Sequence, residues 1–145
     1  MKTTDKPIIV EETFNTPIEV VWNAITDIKQ MVNWYFENIP DFKPKVGFET
    51  QINVVSNERN FLHRWKVIEV RPMEMIKYTW KYDGYPGKST SAFELFEQND
   101  LTTLRLTVEN MEDFPDDIPE FKRESCIGGW EYFINKRLKE FLAKS

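Results

Sequence analysis

Between Phe48 and Val108, mostly apolar and aromatic residues alternate with polar residues with a period of two. This alternation is the strongest constraint on the fold. A period of two places successive side chains on opposite faces of a β-strand. Five segments have this period, and their inward sets are Phe48, Thr50, Ile52 and Val54; His63, Trp65 and Val67; Ile76, Tyr78, Trp80 and Tyr82; Ser91, Phe93 and Leu95; and Leu104, Leu106 and Val108. Short turns join the segments, so we expect an antiparallel meander with one solvated face. The alternation slips near Ile68, which predicts a β-bulge.

The residues before the meander predict another strand and two short helices. Lys6–Asn15 is rich in β-forming residues, which favours the strand. Residues 16–19, with the letters TPIE, have the spacing of a capping box with proline at the first helical position. One face of the following helix carries Ile18, Val21, Trp22 and Ile25. Asp27 is placed to cap a second helix that runs towards Trp34.

The last part of the chain, from Arg123 to Ser145, predicts a long helix that covers the apolar face of the sheet. Its apolar residues recur at helical spacing, and they are Cys126, Ile127, Trp130, Phe133, Ile134, Leu138 and Phe141. Asp117 and Glu120 form a second capping-box pattern ahead of this helix. Arg137 falls within the apolar face, where its stem can extend past the end of the sheet.

Gly128 and Gly129 lie inside this predicted helix, although a helical glycine costs about 1 kcal/mol relative to alanine. One hypothesis is that they let the helix bend, or let a loop approach its backbone, at the mouth of a cavity. The alternative is that they give the ring of Trp22 or Trp130 room to pack.

The length of the chain limits the number of domains, and its net charge limits the classes of partner that it can bind. A chain of 145 residues predicts one domain, here residues 1–145. The net charge of −5 predicts that nucleic acid is not a partner, because a phosphate backbone would be repelled. No apolar run reaches 18 residues and Cys126 is the only cysteine, so we expect a cytoplasmic protein without a membrane span or an intrachain disulfide.

Aromatic residues make up 14% of the chain, which is enough either to build a core of large rings or to line a pocket. The strand and helix patterns place one group of rings on inward faces: Trp65, Tyr78, Trp80, Phe93 and Trp130. Both interpretations of these rings stay open at the level of the sequence.

Four stretches carry a resemblance to a known family. They are the Pro17–Trp22–Ala24–Thr26–Asp27 pattern, FKPKVGFE, VIEVRPMEMIKYTW and the terminal GGWEYFINKRLKEFL. Together they resemble the START-like or Bet v 1-like (SRPBCC) superfamily and, within it, the activator of Hsp90 ATPase homologue 1-like family. The resemblance covers nearly the whole chain. It implies an α+β helix-grip fold, in which a curved antiparallel sheet of about six strands wraps around a long C-terminal helix.

The resemblance also implies an elongated apolar cavity between the sheet and the helix. Family members use it for lipids, hydrophobic metabolites or polyketides, or present their surface to partner proteins. The charged approach to the last helix, ENMEDFPDDIPEFKRE, departs from the usual pattern at the expected cavity rim.

Ten residues are predicted to contact a ligand: Trp34, Trp65, Tyr78, Trp80, Phe93, Arg123, Ile127, Gly128, Trp130 and Phe133. Arg123 is the polar anchor of this set. An arginine on an apolar helix face loses hydration when it is buried, and an anionic partner is needed to offset that loss. We therefore expect a small hydrophobic ligand that can carry a carboxylate or another negative charge.

Catalytic motifs are absent from the sequence. No cluster of Cys, His and carboxylates has metal-ligand spacing, and no phosphate loop, dinucleotide fingerprint or nucleophile elbow occurs, so no cofactor or metal is expected. His63 and Tyr78 are the two inward residues that could act as an acid or base.

Three functions therefore remain open. The first is binding of a small hydrophobic molecule in an internal cavity. The second is a protein-interaction module that resembles the Hsp90 ATPase activator, with a chaperone or another protein as partner. The third is a cyclase-type or hydrolase-type enzyme. The fold does not decide between them.

Overall fold

The sheet of this protein has six antiparallel strands, and all of its helices lie on one face. A computed structural model of the chain describes residues 1–144. The strands are β1 (Ile8–Phe14), β2 (Glu49–Ser56), β3 (Arg59–Arg71), β4 (Met75–Tyr82), β5 (Lys88–Gln98) and β6 (Leu101–Glu112). The helices are α1 (Ile18–Thr26), α2 (Ile28–Trp34), α3 (Arg123–Glu131) and α4 (Lys139–Ala143), with a π-helical segment, Tyr132–Leu138, between the last two.

The strand order is β1-β6-β5-β4-β3-β2, so the predicted meander of five strands is confirmed and β1 closes it by pairing with β6. The predicted inward sets are the buried or half-buried sets of each strand. The β-bulge near Ile68 is also confirmed, because the register of β3 with β4 shifts between Val67 and Glu69. These findings establish the helix-grip fold.

The predicted capping box at the start of α1 is wrong. Pro17 takes the N-cap position, and no side chain caps the helix from within this turn. The main chain of Thr16 is held by β6 instead, because its carbonyl accepts a hydrogen bond from the Thr102 hydroxyl at 2.8 Å. A carboxylate of Glu97 accepts from the amide of Ile18 at 3.4 Å. The predicted cap of α2 is confirmed, since the side chain of Asp27 accepts a hydrogen bond from the backbone amide of Lys29 at 3.1 Å.

The second predicted capping box is also wrong. Pro119–Phe121 forms a separate turn of 3₁₀-helix, with Ile118 at its N-cap and no side-chain cap. The carboxylate of Glu120 turns instead towards Arg59 of β3, and the two form an ion pair at 2.8 Å. A tertiary partner with a full charge therefore competes successfully with the local capping amide.

The C-terminal helix is continuous from α3 to α4, and its middle is π-helical. The π-helix bonds each amide to the fifth residue back, so each turn holds more residues than an α-turn. The buried residues consequently recur at every fourth position: Trp130, Ile134, Leu138 and Leu142. This spacing places Leu142 in the core, where α-helical spacing predicted Phe141, which is only half-buried.

His63 lies on the inner face of β3 and is buried, with 6% of its surface exposed. Its Nδ1 is 2.9 Å from the Phe61 carbonyl, and its ring packs 4.7 Å from the ring of Tyr82. Burial lowers the pKa of His63 from 6.5 to about 4, because the charged imidazolium loses its hydration there. The histidine is therefore neutral in the folded protein at neutral pH.

This pKa shift predicts a loss of stability in mild acid. The unfolded chain takes up a proton on His63 below about pH 6.5, whereas the folded chain resists it until about pH 4. The stability is fully present above about pH 7.5 and should fall by about 2 kcal/mol as the pH is lowered to 5. Urea unfolding of the wild type and of His63→Phe, which keeps a ring but cannot titrate, measures this difference. If the free energy of unfolding changed equally with pH in the two proteins, the predicted role of His63 would be contradicted.

Candidate functional site

A cavity of about 140 Å³ remains between the start of the C-terminal helix and strands β4 to β6. The sheet contributes its inward side chains, and the helix contributes the side that carries Cys126 and Trp130. Its lining residues are Met1, Phe36, Trp80, Tyr82, Ser89, Ser91, Val108, Glu120, Ser125, Cys126, Gly129, Trp130 and Phe133. The cavity therefore lies between the inner face of the sheet and the C-terminal helix.

The cavity is small because the chain fills most of this space with its own rings. Tyr35 and Phe36 follow α2 directly and reach between the sheet and the C-terminal helix. The ring of Tyr35 stacks on Trp34 at 4.7 Å and on Trp65 at 5.2 Å, and it meets Phe133 edge-on at 5.1 Å. Such geometries stabilise aromatic pairs beyond the area that they bury.

A hydrogen bond between two phenols fixes this inserted segment to the sheet. The hydroxyls of Tyr35 and Tyr78 are 2.9 Å apart, and both rings are almost fully buried. Burial raises the pKa of Tyr35 and of Tyr78, because a phenolate would be poorly solvated there. Each phenol therefore stays protonated, and one hydroxyl donates the hydrogen bond that the other accepts.

The phenol pair predicts strong non-additivity between two substitutions. Tyr35→Phe or Tyr78→Phe alone should cost about 1–3 kcal/mol, because the remaining buried hydroxyl loses its partner. The double variant should cost clearly less than the sum of the two, since no unpaired hydroxyl is left. Chemical denaturation of the four proteins completes the cycle. Additive losses would show that the two hydroxyls do not depend on each other.

The polar groups of the cavity wall are mostly uncharged. Ser89 and Ser91 lie on the inner face of β5 and are buried. The indole nitrogen of Trp80 is buried and makes no hydrogen bond of regular geometry, but it lies close enough to the Tyr82 hydroxyl to offset part of the rise that burial causes in the pKa of Tyr82. Burial raises the pKa of the Cys126 thiol to about 11, so this side chain lines the wall as a neutral thiol. Of the described lining residues, Glu120 has the one charged side chain, and Arg59 pairs with it.

The structure brings three of the ten predicted ligand residues to the cavity wall: Trp80, Trp130 and Phe133. Four others lie in the core behind the wall: Trp34, Trp65, Tyr78 and Phe93. Ile127 is half-buried against the core and Gly128 is exposed, and neither lines the cavity. His63 is also absent from the wall, as is Tyr78, so neither acid–base candidate faces this space.

Arg123 does not reach the cavity either. Its guanidinium donates hydrogen bonds to the carbonyls of Lys6 and Pro7, at the start of β1. The arginine is therefore already paired, and its position joins the C-terminal helix to the first strand. Arg137 extends past the end of the sheet and donates to the Asn33 carbonyl at 2.9 Å.

The hypothesis that a loop approaches the helix backbone closely at Gly128 and Gly129 is wrong. A Cβ added at Gly128 or Gly129 would meet no heavy atom within 4 Å, and both residues are exposed. They immediately precede Trp130 and the π-helical segment, and the Gly129 position opens onto the cavity. Gly129 is therefore the one of the two glycines that lines the cavity.

Because both sites are open, replacing either glycine by alanine should stabilise the protein. We expect a gain of about 1 kcal/mol for Gly128→Ala and a similar gain for Gly129→Ala, since alanine restricts the unfolded chain and favours the helix. Thermal and chemical unfolding measure both changes. A loss of stability in either variant would mean that the backbone there is approached more closely than the structure shows.

Two findings limit other chemistries within residues 1–144. No group of three or more His, Cys, Asp and Glu side chains there is arranged to hold a metal ion. No helix in the same range is long and apolar enough to span a membrane.

Solved structures share this fold at low sequence identity. A protein from Chromobacterium violaceum is 22% identical with a TM-score of 0.75, and the match covers 95% of each chain. DynU16, from the dynemicin biosynthetic locus, is 21% identical with a TM-score of 0.75 over 96% of this chain and 48% of that one. An HSP90 activator from Plasmodium falciparum is 21% identical with a TM-score of 0.67 over 90% and 92% of the two chains.

The comparison with curated protein sequences gave no match. A family model does match, and it covers residues 15–143, from the end of β1 to the end of the C-terminal helix. That range contains every strand of the meander and both sides of the cavity. The chain therefore belongs to the family described as activator of Hsp90 ATPase homolog 1-like proteins.

Proposed function

We propose that this protein binds a small, neutral compound with a single ring in the cavity between β5 and the C-terminal helix. The observation that carries the proposal is a space of about 140 Å³ with aromatic walls and two buried serine hydroxyls. Ligand sites are commonly apolar pockets with a few polar groups that fix orientation.

The volume sets the size of the ligand. A protein cavity of about 150 Å³ is able to hold benzene, so this space suits one ring with a small substituent. A lipid chain or a polyketide would have to displace Tyr35 or Phe36. That displacement would break the stacking on Trp65 and the contact with Phe133.

The wall chemistry favours a neutral ligand over the anionic ligand that Arg123 suggested. The guanidinium of Arg123 is occupied by two carbonyls outside the cavity, and a carboxylate of Glu120 stands at the wall. The lining residue Met1 carries the N-terminal ammonium, but this cation already donates to the Phe121 carbonyl at 3.1 Å. A ligand anion would therefore lose its hydration there without gaining a cation free of other partners. A ligand hydroxyl or carbonyl can instead form a hydrogen bond with the hydroxyl of Ser89 or Ser91.

Two leucine variants test the position of the site. Gly129→Leu should add a side chain at the cavity wall and weaken the binding of p-cresol at least about tenfold, whereas Gly128→Leu should leave it within about twofold. Gly128 is the matched control because it is the neighbouring helical glycine, is equally open and does not line the cavity. Tryptophan fluorescence and calorimetric titration measure the affinities. No p-cresol binding to the wild type, or equal losses in both variants, would remove the proposal.

Three probes of similar size test the chemistry of the site. We expect the wild type to prefer p-cresol to toluene and to reject benzoate. Ser91→Ala should reduce the preference for p-cresol over toluene by roughly threefold to tenfold, the value of one hydrogen bond. Preferred binding of benzoate would instead support the anionic ligand that the sequence suggested.

A protein-interaction module is the second candidate function. Its specific support is the family membership, together with the shared fold of the HSP90 activator from Plasmodium falciparum. The discriminating measurement is the ATPase rate of an Hsp90 chaperone with and without this protein. A stimulated rate that Gly129→Leu leaves unchanged would favour this function over ligand binding.

A further inference from the structure

The charged stretch between β6 and the C-terminal helix contributes to one end of the cavity. Residues 113–122 consist of turns and irregular backbone around the 3₁₀ turn at Pro119–Phe121. Glu120 of this stretch and Met1 lie in the cavity wall, and both are half-buried. We call residues 113–122 the lid.

The first residues of the chain are attached to the lid. The amino group of Met1 donates to the Phe121 carbonyl at 3.1 Å, and the carbonyl of Met1 accepts from the Phe114 amide at 2.9 Å. The ammonium of Lys2 forms an ion pair with Asp116 at 2.9 Å. The lid and the first two residues therefore form one unit beside the cavity.

A small aromatic cluster seats the lid on the sheet. Phe114 and Phe121 of the lid pack with Phe61 of β3, and these three buried rings form a cluster separate from the main core. The ring of Phe114 occupies the space that a side chain at Gly87 would need. Phe121 stacks at 4.6 Å on Tyr82, which lines the cavity. The closed position of the lid therefore depends on few buried side chains.

An ion pair joins the lid to the turn between β2 and β3. Asn57 and Glu58 form this turn with positive φ angles of 51° and 67°. The carboxylate of Glu120 accepts from the Arg59 guanidinium at 2.8 Å and from the Asn57 side-chain amide at 3.2 Å. The side chain of Arg59 is 41% exposed, and solvent weakens an ion pair at such a position.

These features predict that the lid opens more easily than the sheet. Segments with few buried contacts and exposed polar links open locally at a lower free energy than the whole domain. Pro115 and Pro119 also lack the amide hydrogen that would tie the lid backbone down. The strands, by contrast, are paired along their length.

The exposed part of the cavity wall adjoins the lid. Ser125 and Gly129 of α3 are exposed lining residues, whereas Ser89 and Ser91 of β5 are buried. The Ser125 hydroxyl donates to the Pro119 carbonyl of the lid at 3.0 Å. Movement of the lid would therefore widen the cavity on the side nearest to solvent.

We propose that the lid is the gate through which ligand enters and leaves the cavity, and that the ion pair between Glu120 and Arg59 holds it closed. This inference rests on the proposed function, because it assigns a route to that same site. Arg59 does not line the cavity, so it acts on the lid and not on the ligand. Weakening the ion pair should raise the rates of ligand entry and release by the same factor and leave the affinity unchanged.

The thiol of Cys126 tests the lid without any ligand. Cys126 is the only cysteine and lies half-buried in the cavity wall, so its reaction with iodoacetamide reports opening. We expect Arg59→Gln to speed this reaction at least about threefold and Arg64→Gln to change it less than about twofold. Arg64→Gln is the matched control, because it removes an ion pair of similar length, to Asp83, from the same strand away from the cavity.

Two outcomes of the thiol reaction would overturn the proposal. One is an unchanged rate in Arg59→Gln, or an equal increase in the two variants. The other is a rate that rises as steeply with urea as global unfolding does, because opening of a lid exposes much less surface. Thermal unfolding of both variants should give similar Tm values, which separates a local change from a loss of structure.

Exchange of p-cresol tests the route. Nuclear magnetic resonance lineshapes of the Trp80 indole signal measure the association and dissociation rates, and both should rise at least about threefold in Arg59→Gln at constant Kd. A change in Kd with unchanged rates would overturn the gate. A wild type that binds no p-cresol would remove the proposed function, whereas the thiol reaction decides the movement of the lid independently.

Discussion

The insertion of Tyr35 and Phe36 between the sheet and the C-terminal helix is the contact on which the rest of the structure depends. Their rings touch tryptophans of the sheet on one side and Phe133 of the helix on the other. The hydroxyl of Tyr35 is fixed by Tyr78. This packing reduces the space of a helix-grip fold to a remnant of about 140 Å³, and so it determines the size of any ligand.

The strands β3 to β5 present two different chemistries because side chains alternate along a strand. Their inner face is aromatic and carries the neutral serine and indole groups of the cavity wall. Their outer face is polar and carries cations and carboxylates on neighbouring strands, such as Lys66 opposite Glu49 and Lys88 opposite Glu112.

The sequence was sufficient to predict the sheet, because the alternation of apolar and polar residues follows which side chains are buried. Trp65, Tyr78 and Trp80 were predicted to face inward in this way, and all three are buried. It was insufficient where tertiary contacts override local preference. Arg123 was expected to meet a ligand anion but is occupied by the backbone carbonyls of Lys6 and Pro7, just before β1, and Glu120 leaves its capping position for Arg59. Phe36 was missed because it follows α2 outside any periodic segment; the consecutive rings at 34–36 were the available signal.

The most direct test of the cavity uses the tryptophans as reporters in a nuclear magnetic resonance titration of indole N–H signals with p-cresol. Trp80 and Trp130 line the cavity, whereas Trp34 donates its indole N–H to the Ala24 carbonyl at 2.7 Å, away from that space. The account predicts saturable shifts for the Trp80 and Trp130 signals and an unchanged Trp34 signal. Shifts of similar size at all three, or no saturable shift at Trp80 and Trp130, would contradict it.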